Sequence, residues 1–145
     1  MLNIVTGVEK TPIKTCIYGA EWISKSSLAT QFPDPLVIDT EGGTSRLNVR
    51  RIKWTSWEEL ISIVKEVIDN PTVCHSLLID TAEWAETLWI YFILNKYRQA
   101  SIESLGYGKG YTYIQEEFSE FLKLLNELIT VGINPVIIAH GKPRK

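Results

Sequence analysis

Short apolar runs alternate with longer amphipathic stretches along this chain, and their order predicts an alternating strand–helix fold. Thr15-Cys16-Ile17-Tyr18 marks a first strand over 14–18. Leu36-Val37-Ile38, Ser76-Leu77-Leu78-Ile79-Asp80 and Pro135-Val136-Ile137-Ile138-Ala139-His140 mark three more. Each is a continuous apolar run, the pattern of a strand buried on both faces. Between them lie helical spacings. One helix follows residue 25 and stops near Phe32, before Pro33 and Pro35. A second opens at Ser56, where Ser56 and Glu59 form a capping box, carries apolar residues at 60, 61, 64, 67 and 68, and ends at Asn70-Pro71. A third covers 82–99. A fourth runs from 113 to 131, with Ile114, Phe118, Phe121, Leu122, Leu125 and Leu128 on one face, and stops at Gly132. Residues 49–53 suggest a short edge strand, and 104–112 a glycine-rich loop. Strands alternating with helices imply crossover connections and a largely parallel sheet covered on both faces. The expected architecture is a single three-layer α/β/α domain over residues 1–145.

Composition narrows the partners. With 145 residues, 45% hydrophobic and 22% charged, the chain is long enough for one sizeable core. A net charge of −2 supplies no global field for nucleic acid, so such contact needs a local patch or an assembly of subunits. No apolar run reaches the roughly 18 residues of a membrane span. Two cysteines are too few for a disulfide framework, and Cys16, in an apolar run, reads as a buried free thiol suited to a reducing cytosol.

The chemistry lies at the ends of the strands. Gly19-Ala20-Glu21-Trp22-Ile23-Ser24-Lys25-Ser26-Ser27 follows the first strand and precedes a helix. That is the setting of the phosphate-binding pattern G-x-x-x-x-G-K-[ST], with Gly19, Lys25 and Ser26 in register and Ser24 in place of the second glycine. In such a loop, backbone N–H groups at a helix start cradle phosphate. Lys25 reaches the terminal phosphates and the Ser26 hydroxyl binds Mg²⁺. Asp80, closing an apolar strand about 55 residues on, is the expected Mg²⁺ partner. Glu41, after the neighbouring strand, has the placement of a general base for an attacking water, with Glu83 as a second choice. His140 either senses the terminal phosphate or caps the sheet. All these residues fall beyond the carboxyl ends of the strands, where parallel sheets bind ligands.

Together the carriers resemble the phage-encoded RecA-like ATPases, the group described as phage nucleotide-binding or AAA-domain proteins and linked to single-strand annealing and recombination. They are Tyr18 to Glu21 with Lys25-Ser26-Ser27, Val37 to Gly43, Leu78 to Ala82, Gly106 to Tyr111, and Ala139-His140. The resemblance implies a RecA-like P-loop core, an ATP–Mg²⁺ ligand, Glu41 as catalytic glutamate and Asp80 at the magnesium site. It implies that His140 couples phosphate to the DNA loops, and that 101–112 is the first DNA-binding loop. In that loop Tyr107, Lys109 and Tyr111 interleave aromatics with a cation, a composition that suits stacking on unpaired bases. A homo-oligomer in the host cytoplasm also follows from the resemblance.

Two departures open a second reading. The family has glycine where Trp22 and Ser24 stand, and glycine serves where backbone must take positive φ or approach a ligand closely. A non-glycine residue there costs roughly 1–2 kcal/mol. The alternative is therefore a P-loop domain that binds nucleotide poorly and acts as a DNA-binding or oligomerisation module. RecA-like cores also continue past the His140 strand, whereas this chain ends at Lys145. It reads as C-terminally short, with an exposed sheet edge prone to self-association. Lys142 and Arg144 then extend toward a neighbouring subunit or fray. A small-molecule kinase shares the loop, but the basic cluster Arg46, Arg50, Arg51 and Lys53 is misplaced for a lid.

Overall fold

Strand β4 (Ser76–Asp80) is the centre of the molecule, and all five of its residues are buried. Around it the computed structural model places β1 (Thr15–Gly19), β2 (Pro35–Asp39), β3 (Arg50–Lys53) and β5 (Asn134–His140) in one sheet of order β1-β5-β4-β2-β3. Every pairing is parallel. The helices are α1 (Lys25–Ala29), α2 (Trp57–Asp69), α3 (Ala82–Lys96) and α4 (Lys109–Thr130). The structure describes residues 1–19, 25–39, 44–80, 82–97 and 109–140.

Alternation along the inner strands divides the core in two. Leu36, Ile38, Leu77 and Ile79 face α2, α3 and α4 and join a large cluster that includes Trp54, Trp57, Leu60, Val64, Leu125 and Leu128. Val37, Leu78, Val136 and Ile138 face the other way and meet Ala29 of α1, with Ile17, Phe32 and Val49 against them. The three-layer α/β/α arrangement expected from the sequence is thus present, with one thick helical layer and one thin one.

The caps follow the sequence. Ser56 sits at φ −143° and accepts from the Glu59 amide at 3.1 Å, while Glu59 Oε2 accepts from the Thr55 amide at 3.0 Å. The reciprocal half of the capping box therefore reaches one residue further back than the motif prescribes. At the far end of α4, Gly132 takes φ +92°, and the Ile133 amide donates back to Leu128 O. This is a helix stop that glycine makes at little cost.

Three expectations need correction. Cys16 is exposed, not buried, and Cys74 is the buried thiol. The cause is strand order: among the described residues β1 pairs only with β5, so it is an edge strand, and its burial alternates instead of being continuous. Tyr18, two residues on from Cys16, is likewise 71% exposed. Second, α1 stops at Ala29, short of Phe32. Third, α4 begins at Lys109, so Lys109 and Tyr111 stand on a helix and not in a loop. Gly110 costs a helix only about 1 kcal/mol. Tyr113 offsets that by stacking on Tyr97 at the end of α3, with ring centroids 4.0 Å apart and planes at 12°.

The cysteines give a direct check. Burial pushes the Cys74 thiol up to about 11, outweighing the lowering effect of Arg50. At pH 8 a thiol-specific reagent is expected to label Cys16 in the native protein and both thiols only after denaturation, read by intact mass. Rapid native labelling of Cys74 would contradict its burial. Because the folded value lies above the ordinary 9.0, this group's contribution to stability is complete below pH 9 and is lost as pH rises toward about 11.

Candidate functional site

The register of the sheet brings four strand ends to one rim. Asp39 pairs with Asp80 across β2 and β4, Gly19 pairs with His140 across β1 and β5, and Ile138 lies opposite Asp80. Gly19, Asp39, Asp80 and His140 are therefore together at the carboxyl edge, as the sequence predicted. Helix α1 starts six residues after Gly19 and covers β1 and β5 on the thin side of the sheet.

Ser26, in the first turn of α1, donates its hydroxyl to Asp80 Oδ2 at 2.9 Å. These side chains are 54 residues apart in sequence, and Asp80 is only 5% exposed. A buried carboxylate and a hydroxyl, both hard oxygen donors, suit Mg²⁺, which takes few protein ligands and keeps water and phosphate oxygens for the rest of its octahedron. Among the described residues no group of three or more His, Cys, Asp or Glu gathers to hold a metal by itself.

Asp39 is the second buried carboxylate of the rim, at 1% exposure. It accepts both the backbone amide of Thr44, at 3.0 Å, and the Thr44 hydroxyl, in a short bond. Arg51 of β3 completes the arrangement. Its Nη2 donates to Thr44 O and Leu47 O, each at 2.6 Å, and its Nε to the Thr44 hydroxyl at 3.3 Å. The residues on either side of 40–43 are thus tied to one another. Thr44 and Arg51 escape a motif search. Their signal is a threonine five residues past a strand-end aspartate, a spacing that permits a side chain to bridge back to a loop amide.

Two members of the basic cluster at 46–53 have structural partners. Arg51 holds the carbonyls just described, and Arg50 pairs with Asp34 at 2.9 Å at the opposite, amino end of the sheet. Asp34 also takes His75 Nδ1 at 3.1 Å.

Of the remaining expected site residues, Ala20, Glu21, Trp22, Ile23, Ser24, Glu41 and Tyr107 lie outside the described residues. For Lys25, Lys109, Tyr111 and His140 the backbone alone is placed: Lys25 opens α1, Lys109 and Tyr111 open α4, and His140 ends β5. Ser27 is exposed on α1, and its carbonyl accepts from Thr30 Oγ1 at 2.8 Å. Glu83 stands in the first turn of α3, where acids are favoured by the helix start. Among the described residues no helix is long and apolar enough to cross a membrane.

Compared with known families, residues 11–145 match the family model described as an AAA domain. No curated protein matches the chain.

Proposed function

From the premise that the chain belongs to the AAA domain family, we propose that it binds ATP with Mg²⁺ on the loop 19–27 and hydrolyses it. The observation that carries this reading is the Ser26–Asp80 hydrogen bond. It joins the hydroxyl that follows the loop lysine to the aspartate that closes the central strand, the two groups that share one magnesium ion in phosphate-loop enzymes. Ser26 and Asp80 would hold the ion, which would supply positive charge against the phosphates. Lys25 adds its charge to the terminal phosphates, and the loop amides from Gly19 onward cradle them. Glu41 takes a proton from the attacking water as general base. The Asp39–Thr44–Arg51 ties hold the chain on both sides of that glutamate. His140, at the end of the strand between Gly19 and Asp80, responds to the terminal phosphate.

The finer context rests on the resemblance of Tyr18–Glu21, Val37–Gly43 and Gly106–Tyr111 to phage RecA-like proteins. On that reading the domain serves recombination or annealing in a host cytoplasm, assembles with copies of itself, and meets single-stranded DNA through Tyr107, Lys109 and Tyr111. Trp22 and Ser24 favour one alternative, a domain that has kept the fold and the DNA or assembly role but weakened its nucleotide site.

Calorimetric titration with Mg²⁺ and a slowly hydrolysed ATP analogue tests the proposal. Saturable, Mg²⁺-dependent binding is expected. It should be lost in Lys25→Ala and lose its Mg²⁺ dependence in Asp80→Asn. Heat that does not saturate in the unaltered chain would remove the ATPase reading and leave the alternative.

A further inference from the structure

The two buried carboxylates of the rim take hydrogen bonds from different elements. Asp39 and Asp80 are register partners on β2 and β4, so their side chains leave the same face of the sheet, the face that α1 covers. Asp80 accepts from Ser26, in the first turn of α1. Asp39 accepts twice from Thr44, through the backbone amide at 3.0 Å and through the hydroxyl. One acid is thus bonded to the start of the phosphate-loop helix. The other is bonded to the residue where the chain returns after 40–43.

Thr44 is the centre of the second set. It is 1% exposed. A threonine hydroxyl has one proton to give and lone pairs to receive. Here Asp39 takes the proton, and the oxygen accepts from Arg51 Nε at 3.3 Å. The Thr44 carbonyl accepts from Arg51 Nη2 at 2.6 Å. Arg51 lies on β3 opposite Val37, two residues before Asp39, so its side chain leaves the same face of the sheet. A buried polar network satisfied in this way holds the chain in one arrangement. As a means of ending a strand it is costly, because a carboxylate, a hydroxyl and part of a guanidinium must all leave water, where an apolar cluster would lose nothing. Departures of that kind gather at functional sites.

We propose that Thr44, held between Asp39 and Arg51, is a positioning residue for hydrolysis. It fixes where the segment carrying Glu41 rejoins the described chain, and so governs turnover and not nucleotide affinity. Asp39 serves this network, whereas the neighbouring Asp80 serves magnesium. The role rests on the reading of Glu41 as general base in an ATP-hydrolysing site.

Turnover, binding of a slowly hydrolysed ATP analogue and amide exchange are measured on the full chain and its variants. Thr44→Val keeps the size of the side chain and removes the hydroxyl. It is expected to lower kcat about ten- to a hundredfold, the cost of a small displacement at a reacting centre. Analogue affinity and its Mg²⁺ dependence are expected to stay as they were. Thr44→Ser, which restores the hydroxyl, is expected to recover most of the turnover. Should Thr44→Val fold poorly, Arg51→Lys on the edge strand gives the same reading: an ammonium does not reproduce the guanidinium fork, so kcat is again expected to fall with affinity kept. In Asp39→Asn binding is expected to remain Mg²⁺-dependent. Before any nucleotide is added, amide exchange over 39–44 is expected to quicken in Thr44→Val. The proposal is overturned if Thr44→Val or a folded Arg51→Lys turns over as fast as the unaltered chain, or if affinity falls along with kcat. It is equally overturned if Thr44→Ser is as slow as Thr44→Val, if Asp39→Asn loses Mg²⁺ dependence, or if exchange over 39–44 does not change. An unaltered chain that binds the analogue but does not hydrolyse ATP removes the reading of Glu41 itself, and the role of Thr44 with it.

Discussion

Replacing Trp22 and Ser24 together by glycine is expected to tighten Mg²⁺–ATP binding by roughly thirty- to seven-hundredfold. The size follows from what the two side chains cost. A phosphate loop needs its backbone amides turned inward, and some of its residues then take positive φ. Each non-glycine residue held there costs roughly 1–2 kcal/mol, and every 1.4 kcal/mol is a factor of ten in affinity. The gain is expected in binding, with the melting temperature nearly unchanged. Parallel titration of the two chains with a slowly hydrolysed analogue measures it. Equal affinities would show that the loop accommodates both side chains, and the ATPase reading would then stand without any weakening. Binding by the glycine variant alone would favour a domain that has kept its fold and let its ligand go.

The second large effect is on stability. Leu125→Ala is expected to destabilise the protein by about 2–5 kcal/mol and to lower the midpoint of thermal unfolding by about 5–15 °C. Leu125 is 0% exposed in the cluster that joins α4 to the thick side of the sheet. Removing its isobutyl group forfeits transfer energy and leaves a void that packed neighbours refill only in part. Leu122, one turn earlier on the same helix, is 38% exposed. Leu122→Ala is expected to cost less than about 1 kcal/mol. A pair of calorimetric melts separates the two. Similar costs at the two positions would contradict the assignment of the buried face of α4.

The interior was the legible part of this fold. Val37-Ile38 and Leu77-Leu78-Ile79 read as strands buried on both sides because their burial is nearly independent of what lies beyond the sheet: β2 and β4 each have neighbours on either hand. The same reading fails for Thr15-Cys16-Ile17-Tyr18. Its composition matches the inner strands, but edge position is a property of strand order, and no local pattern encodes it. Helix starts were legible where a side chain makes them, as at Ser56, and missed at Lys109. There a tyrosine pair from two helices outweighs the glycines around it. At the rim, Gly19 and Ser26 were legible because a motif fixes their spacing, and Asp80 because it closes an apolar strand. The ties from Thr44 and Arg51 to Asp39 and its loop were not, since they depend on β3 lying beside β2.

Strand β1 has one further consequence, for the order in which the molecule assembles. Its partner in the sheet is β5, and Thr15 lies opposite Val136. Strand β1 is made before the other four described strands and has none of them to pair with until β5, the last of the five, is made. Pairings this remote in sequence carry a large loop-closure entropy and form slowly. During synthesis β2, β3 and β4, with α2 across them, have all the chain they need well before β5 appears. A nascent chain halted before residue 134 is therefore expected to carry an unpaired β1, while the carboxyl ends of β2 and β4 can already lie side by side.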